Sequence, residues 1–153
     1  MKPHIGITEE KLKKSVKMLS IVLADEMTLY VKTRKFHWNV SGESFMELHK
    51  LFEAQYTEIE QSIDEIAERI NKLGAHTIGT MEEFLGLTRI KEAVGKYPNQ
   101  KEMIEELLKD HETLTIELRK DIEKESDAGT TDYFTKLLQS HESIAWILRR
   151  YLK

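Results

Sequence analysis

Two histidines and three carboxylates punctuate one stretch of this chain at intervals that suit metal binding. His37 leads, and His49, Glu53, Asp64 and Glu68 follow on a segment that reads as a single helix. Imidazole nitrogens and carboxylate oxygens together make a mixed ligand set for a first-row divalent ion. His49 and Glu53 are i,i+4 neighbours, and so are Asp64 and Glu68. Glu53 and Asp64 stand close to three turns apart, so both pairs share one face, yet about 16 Å separates them along the axis. Ligand bonds of about 2 Å cannot span that gap. A two-fold axis near Glu58 and Ile59 removes the difficulty. An antiparallel copy of the helix sets His49 opposite Glu68 and Glu53 opposite Asp64, giving two mixed N/O metal sites per dimer. The competing explanation is a solvated charged face, which most such stripes are. A histidine is an odd choice for solvation, and the spacing is symmetric about a midpoint.

Long amphipathic helices must carry these groups. Thr8, followed by Glu9 and Glu10, opens a helix with the apolar stripe Leu12, Val16, Leu19, Leu23, Met27 and Tyr30, and Ser41-Gly42 breaks it. A second start falls at Ser44, where Glu47 completes a capping box. Its stripe of Leu48, Phe52, Tyr56, Ile59, Ile63, Ile66 and Ile70 runs to a stop at Gly74. Thr80 and Glu83 form another box, which opens a short helix ending near Gly86, and Thr88 to Tyr97 reads as loop. Pro98-Asn99 starts a third long helix through Ile104, Leu107, His111, Leu114, Leu118 and Ile122. Asp127 to Thr130 punctuates, and the last helix carries Phe134, Leu137, His141, Ile144, Leu148 and Tyr151. The pattern predicts an all-α fold: a four-helix bundle with a short extra helix in the crossover between the second and third long helices. One domain spans residues 1–153, with a short tail over 1–7. Strand alternation and internal repeats are absent from the sequence.

Charged residues make up 33% and only two prolines occur, a composition that favours long helices with charged outer faces. Without cysteine, disulfide and thiolate chemistry are excluded. No apolar run reaches bilayer length and the N-terminus lacks a signal-peptide core, so a cytoplasmic protein without membrane contact is expected. A net charge of −4 offers no general attraction to nucleic acid.

The segment His37 to Arg69 resembles the Dps-type mini-ferritins of the ferritin-like superfamily. The matching residues are His37-Trp38, Gly42, Phe45, Leu48-His49, Phe52, Tyr56, Asp64 and Ala67-Glu68-Arg69. The likeness continues through Leu73-Gly74, Ala93-Val94-Gly95, a Thr131-Asp132 turn ahead of the last helix, and Trp146. The resemblance implies a hollow homo-oligomeric shell, a dodecamer, with ferroxidase sites at two-fold interfaces. Such proteins oxidise Fe(II), preferentially with hydrogen peroxide, and store Fe(III) mineral, which suppresses Fenton chemistry. It assigns His37 and His49 to one subunit and Asp64 and Glu68 to its partner, with Glu53 completing or bridging a second iron position. The same donors accept Zn, Mn or Co, and zinc would inhibit because it cannot give up electrons. Trp38 matches a family tryptophan close to the site, as either an electron source or interface packing. By the same resemblance Glu123, Asp127 and Asp132 surround a three-fold pore whose acidic ring draws cations in. Asp127 and Asp132 also suit ordinary turn and helix-start roles.

The larger di-iron proteins place Glu-x-x-His on helices within one bundle. No histidine here has Glu three residues before it, which argues against an intrasubunit centre of that type. His111 and His141 fall within apolar stripes and are expected to be hydrogen-bonded core residues, and His76 and His4 to be surface residues. Some family members coat DNA through lysine-rich tails. The tail before Thr8 holds one lysine, Lys2, while Lys11, Lys13, Lys14 and Lys17 fall on the first helix, so DNA binding is expected to be weak or absent at physiological salt. A nucleoid-compacting structural protein with a vestigial metal site is the alternative from another functional class.

Overall fold

Cap chemistry sets where the helices begin in the computed structural model, which describes residues 3–153. Lys2 lies outside the described residues. The elements are α1 (Glu9–Asn39), α2 (Phe45–Lys72), the short α3 (Met81–Leu87), α4 (Gln100–Lys124) and α5 (Ala128–Tyr151), and no strand occurs among the described residues. Thr8 caps α1 by accepting from the Lys11 amide. Thr80 with Glu83 and Asn99 with Glu102 form reciprocal capping boxes on α3 and α4. The box expected at Ser44 does not form. Ser44 precedes α2 with φ −94° and ψ 25°, outside the extended geometry a capping side chain needs, and Glu47 instead accepts from the Tyr151 hydroxyl at 2.8 Å. Gly42 makes the turn between α1 and α2 at φ +114°, with the Gln100 side chain close against it. Thr131 and Asp132 lie inside α5 rather than ahead of it, because Asp127 already serves as its cap.

α1 pairs with α2 and α4 with α5. Tyr30 against Tyr56 and His37 against His49 make the first pair antiparallel; Arg119–Glu142 and Arg149–Glu112 do the same for the second. The core between them is built from Leu19, Leu23, Leu29, Phe36, Phe52, Ile59, Ile66, Leu107, Leu114 and Phe134, all about fully buried. Together with α3 in the crossover, this is the expected four-helix bundle.

The buried face of α1 departs from the apolar stripe read in the sequence. Met27 and Tyr30 pack at its flank, while Asp25, Glu26 and Thr33 are wholly buried. Each finds partners. Asp25 accepts from Thr88 and from the Arg89 backbone and side chain, pinning the crossover segment to α1. Glu26 accepts from His141 Nε2 at 2.6 Å, and His141 and His111 share a proton between their Nδ1 atoms at 2.8 Å. Burial holds His111 well below the ordinary histidine range, with His141 adding to the effect, so the ring is neutral at pH 7. Both central histidines are thus hydrogen-bonded core residues, while His4 and His76 are exposed. No helix among the described residues is long and apolar enough to cross a membrane.

Candidate metal centre

The end of α1 and the first turns of α2 fold back on each other, and the turn brings His37 and His49 face to face. Their rings stack with centres 3.8 Å apart and planes 19° from parallel. Each ring is fixed by the other's backbone: His37 Nδ1–H donates to the His49 carbonyl at 2.8 Å, and His49 Nδ1–H donates to the His37 carbonyl at 2.9 Å. A carbonyl can only accept, so both Nδ1 atoms carry hydrogen. In the neutral rings both Nε2 atoms are therefore bare lone pairs, the state a metal ligand needs. His37 is buried and His49 half-buried.

Glu53, Asp64 and Glu68 stand on the same α2, all exposed, with Glu68 held by Lys72 one turn on. Among the described residues, no three His, Asp or Glu side chains of one chain are grouped so as to hold a metal. One chain brings the two imidazoles together and leaves its three carboxylates facing outward, elsewhere along a single rigid helix.

Around the imidazoles lies an aromatic wall that the helical stripes did not disclose as a unit. Tyr56 meets His37 edge-on at 5.2 Å, and Phe45 lies 5.2 Å from His49. Trp38 is 64% exposed, with the Arg34 guanidinium 5.3 Å from its ring centre. The i,i+4 run Tyr30, Arg34, Trp38 was the available sequence signal for this cluster.

Among the acids expected at a pore, Glu123 and Asp132 are exposed, whereas Asp127 is engaged. Its Oδ2 accepts from the Thr130 amide at 2.8 Å, the Thr130 hydroxyl at 2.6 Å and Arg69 Nη2 at 2.6 Å. Gly129 makes room for this clasp, since a Cβ there would lie 2.8 Å from the Arg69 guanidinium. Arg69 follows Glu68, so the clasp also anchors the end of α2 that carries the carboxylate pair. Burial pushes Asp127 up, but its bonds from Thr130 and Arg69 outweigh that and hold the carboxyl below its ordinary value. A carboxyl depressed on folding contributes stability above its unfolded value, and the contribution is lost as pH falls through the folded one. Asp127→Ala is expected to cost about 1–2 kcal/mol at pH 7, the loss of a cap with a charged partner. Urea unfolding at fixed protein concentration reads this as a lower midpoint, and the gap from the parent narrows as pH falls below about 4.

Comparisons with known proteins agree with this architecture. Residues 16–153 match the family model described as a ferritin-like domain. An uncharacterised low temperature-induced protein of Nostoc sp. is 41% identical, over 98% of this chain and 86% of its own length. DNA protection during starvation protein 2 of Bacillus anthracis is 38% identical, over 92% of this chain and 97% of its own. The crystal structure of the Dps protein from Vibrio cholerae, described as one of the ferritin-like diiron-carboxylate proteins, superposes with a TM-score of 0.92 at 30% identity, covering 99% and 97% of the two chains. With a bundle and crossover of this form matched over nearly its whole length, the chain belongs to the ferritin-like family and, within it, to the Dps proteins.

Proposed function

We propose that the protein is an iron-storing ferroxidase. It oxidises Fe(II), preferentially with hydrogen peroxide, at sites shared across the two-fold interfaces of a homo-oligomeric shell, a dodecamer, in the cytoplasm. The reciprocal Nδ1–carbonyl bonds of His37 and His49 carry this reading, because on two rings stacked 3.8 Å apart they leave each Nε2 of the neutral imidazole free to ligate. A core-packing or solvated histidine has no need of that arrangement. Asp64 and Glu68 of a second copy complete the ligand set, and Glu53 completes or bridges a second iron position. Two carboxylates offset the ion's charge and favour its oxidised, more highly charged form. Hydrogen peroxide takes two electrons, so a pair of Fe(II) ions reduces it to two hydroxide ions without one-electron release of hydroxyl radical. Zn and Mn fit the same donors, with zinc inhibiting. Glu123, Asp132 and the clasped Asp127 are the carboxylates we assign to cation entry. DNA association is weak at physiological salt, since Lys11, Lys13, Lys14 and Lys17 lie on a helix with Glu9 and Glu10 rather than on a basic tail.

Anaerobic loading with Fe(II) followed by hydrogen peroxide tests the reading, with ferric absorbance and hydroxyl-radical trapping read together. The expected result is rapid oxidation of about two iron ions per peroxide with little trapped radical. Oxidation no faster than in buffer, with undiminished radical, would overturn it.

A further inference from the structure

Three rings run in edge contact away from the candidate centre. Tyr56 stands edge-on to His37 at 5.2 Å and 78°, and edge-on to Tyr30 at 6.1 Å and 86°. Arg34 lies among the aromatics, its guanidinium carbon 4.7 Å from the centre of Tyr56, 5.3 Å from Trp38 and 5.4 Å from Tyr30. Arg34 Nη1 donates to the Tyr30 hydroxyl at 2.6 Å, and that hydroxyl donates to Glu60 Oε1 at 3.2 Å.

A fixed cation over an aromatic face stabilises the electron-rich ring and opposes formation of a second positive charge there. Removing an electron alone from Tyr56 or Trp38 creates that charge beside the guanidinium. Tyr30 avoids the penalty when its phenolic proton leaves together with the electron, since the ring then remains neutral. Among the described residues it is the one of these three aromatics hydrogen-bonded to a carboxylate, so the proton has an acceptor in Glu60.

We propose that Tyr30 is the electron donor to the metal centre, acting through Tyr56, when peroxide meets a site holding a single Fe(II) ion. The proposal rests on the ferroxidase reading above. Fe(II) and the Tyr30 phenol each lose one electron, and the peroxide O–O bond breaks as it takes both. The products are Fe(III), a neutral Tyr30 phenoxyl radical and two hydroxides, and the phenolic proton rests on Glu60. A later Fe(II) restores the phenol, becoming Fe(III) as a proton returns through Glu60. Trp38, 64% exposed beside Arg34, then acts as packing rather than as the electron source.

The test uses the assembled protein, loaded anaerobically with one or two Fe(II) ions per site and mixed with peroxide. Ferric absorbance, freeze-quenched electron paramagnetic resonance and hydroxyl-radical trapping are read in parallel. At one iron per site the parent is expected to show a tyrosyl signal and little trapped hydroxyl. Tyr30→Phe should lose that signal and trap several-fold more hydroxyl, while its two-iron oxidation rate stays at the parent's. Glu60→Gln still accepts the hydrogen bond but cannot take the proton; its tyrosyl signal should be weaker and slower to form. A tryptophanyl signal in the parent, an unchanged tyrosyl signal in Tyr30→Phe, or radical formation in Glu60→Gln at the parent rate would each overturn the proposal. Absence of ferric absorbance at both loadings would instead remove the ferroxidase reading, and with it the reaction Tyr30 serves.

Discussion

His49→Ala is expected to slow initial Fe(II) oxidation by at least about tenfold while leaving the assembled shell intact, since even changes to groups behind metal ligands cost about that much. The substitution removes one imidazole from a half-buried position at the start of α2 and spares the core residues Leu48 and Phe52 on either side of it. It also spares the backbone carbonyl that accepts from His37 Nδ1 at 2.8 Å, so His37 keeps its tautomer. The loss is therefore read on ligation rather than on folding. Asp64→Asn is expected to produce a similar loss, because an exposed carboxylate becomes an amide without charge and nothing in the core changes.

Mixing the two variants separates a shared site from an intrasubunit one. In a mixed dimer one site draws His49 from the Asp64→Asn chain and Asp64 from the His49→Ala chain, so every ligand there is native. Random assembly of equal amounts makes half the dimers mixed, with one native site in each, and restores about a quarter of the parent's sites. Co-refolded mixtures should thus regain about a quarter of the oxidation amplitude, measured as ferric absorbance in the first turnover. Mixtures no more active than either variant would place all the ligands within one chain.

The placement of His49, Glu53, Asp64 and Glu68 along one helix was legible because a helix fixes phase, and the proposed pairing across a two-fold axis follows from their numbers alone. The stacking of His37 on His49 was not. It depends on the turn at Gly42 and on Nδ1–carbonyl bonds between helices, which leave no periodic signature. Asp25, Glu26 and Gln55 escaped for another reason. A stripe drawn through apolar residues skips buried polar ones, and the structure seats Gln55 on the core face of α2 while Tyr56 stands half-buried beside His37. The Ser44–Glu47 pairing had the right sequence for a capping box and the wrong backbone angles, which only the tight turn after α1 determines. Arg89 lies in a stretch that reads as loop, and nothing local announces that its partners are on α1 and α4.

That arginine sets the second large expected effect. Asp25 is fully buried and accepts from the Arg89 amide at 2.5 Å, Arg89 Nε at 2.8 Å and the Thr88 hydroxyl at 3.2 Å, while Arg89 Nη1 reaches Asp121 at 2.9 Å and Glu117 at 3.2 Å. Asp25→Ala is expected to cost about 3 kcal/mol, because the Arg89 amide, Arg89 Nε and the Thr88 hydroxyl lose a buried acceptor, although Arg89 keeps Asp121 and Glu117 as partners. For a chain of this size that lowers Tm by roughly 10 °C. Arg119→Ala breaks the exposed ion pair to Glu142 and should change stability by no more than about 1 kcal/mol. The contrast between the two, measured by calorimetry at equal protein concentration, separates burial from ion-pair formation as the cause. Replacing Asp25 and Arg89 together by Leu should recover part of the loss by removing both charges. Recovery stays incomplete, since residue 89 lies outside any helix and its backbone N–H would lose the acceptor that Asp25 supplies. Hydrogen exchange at the residue 89 amide should accordingly be fast in both Asp25 variants and slow in the parent. Equal protection in all three would mean that another group satisfies that amide, and the predicted stability loss would shrink with it.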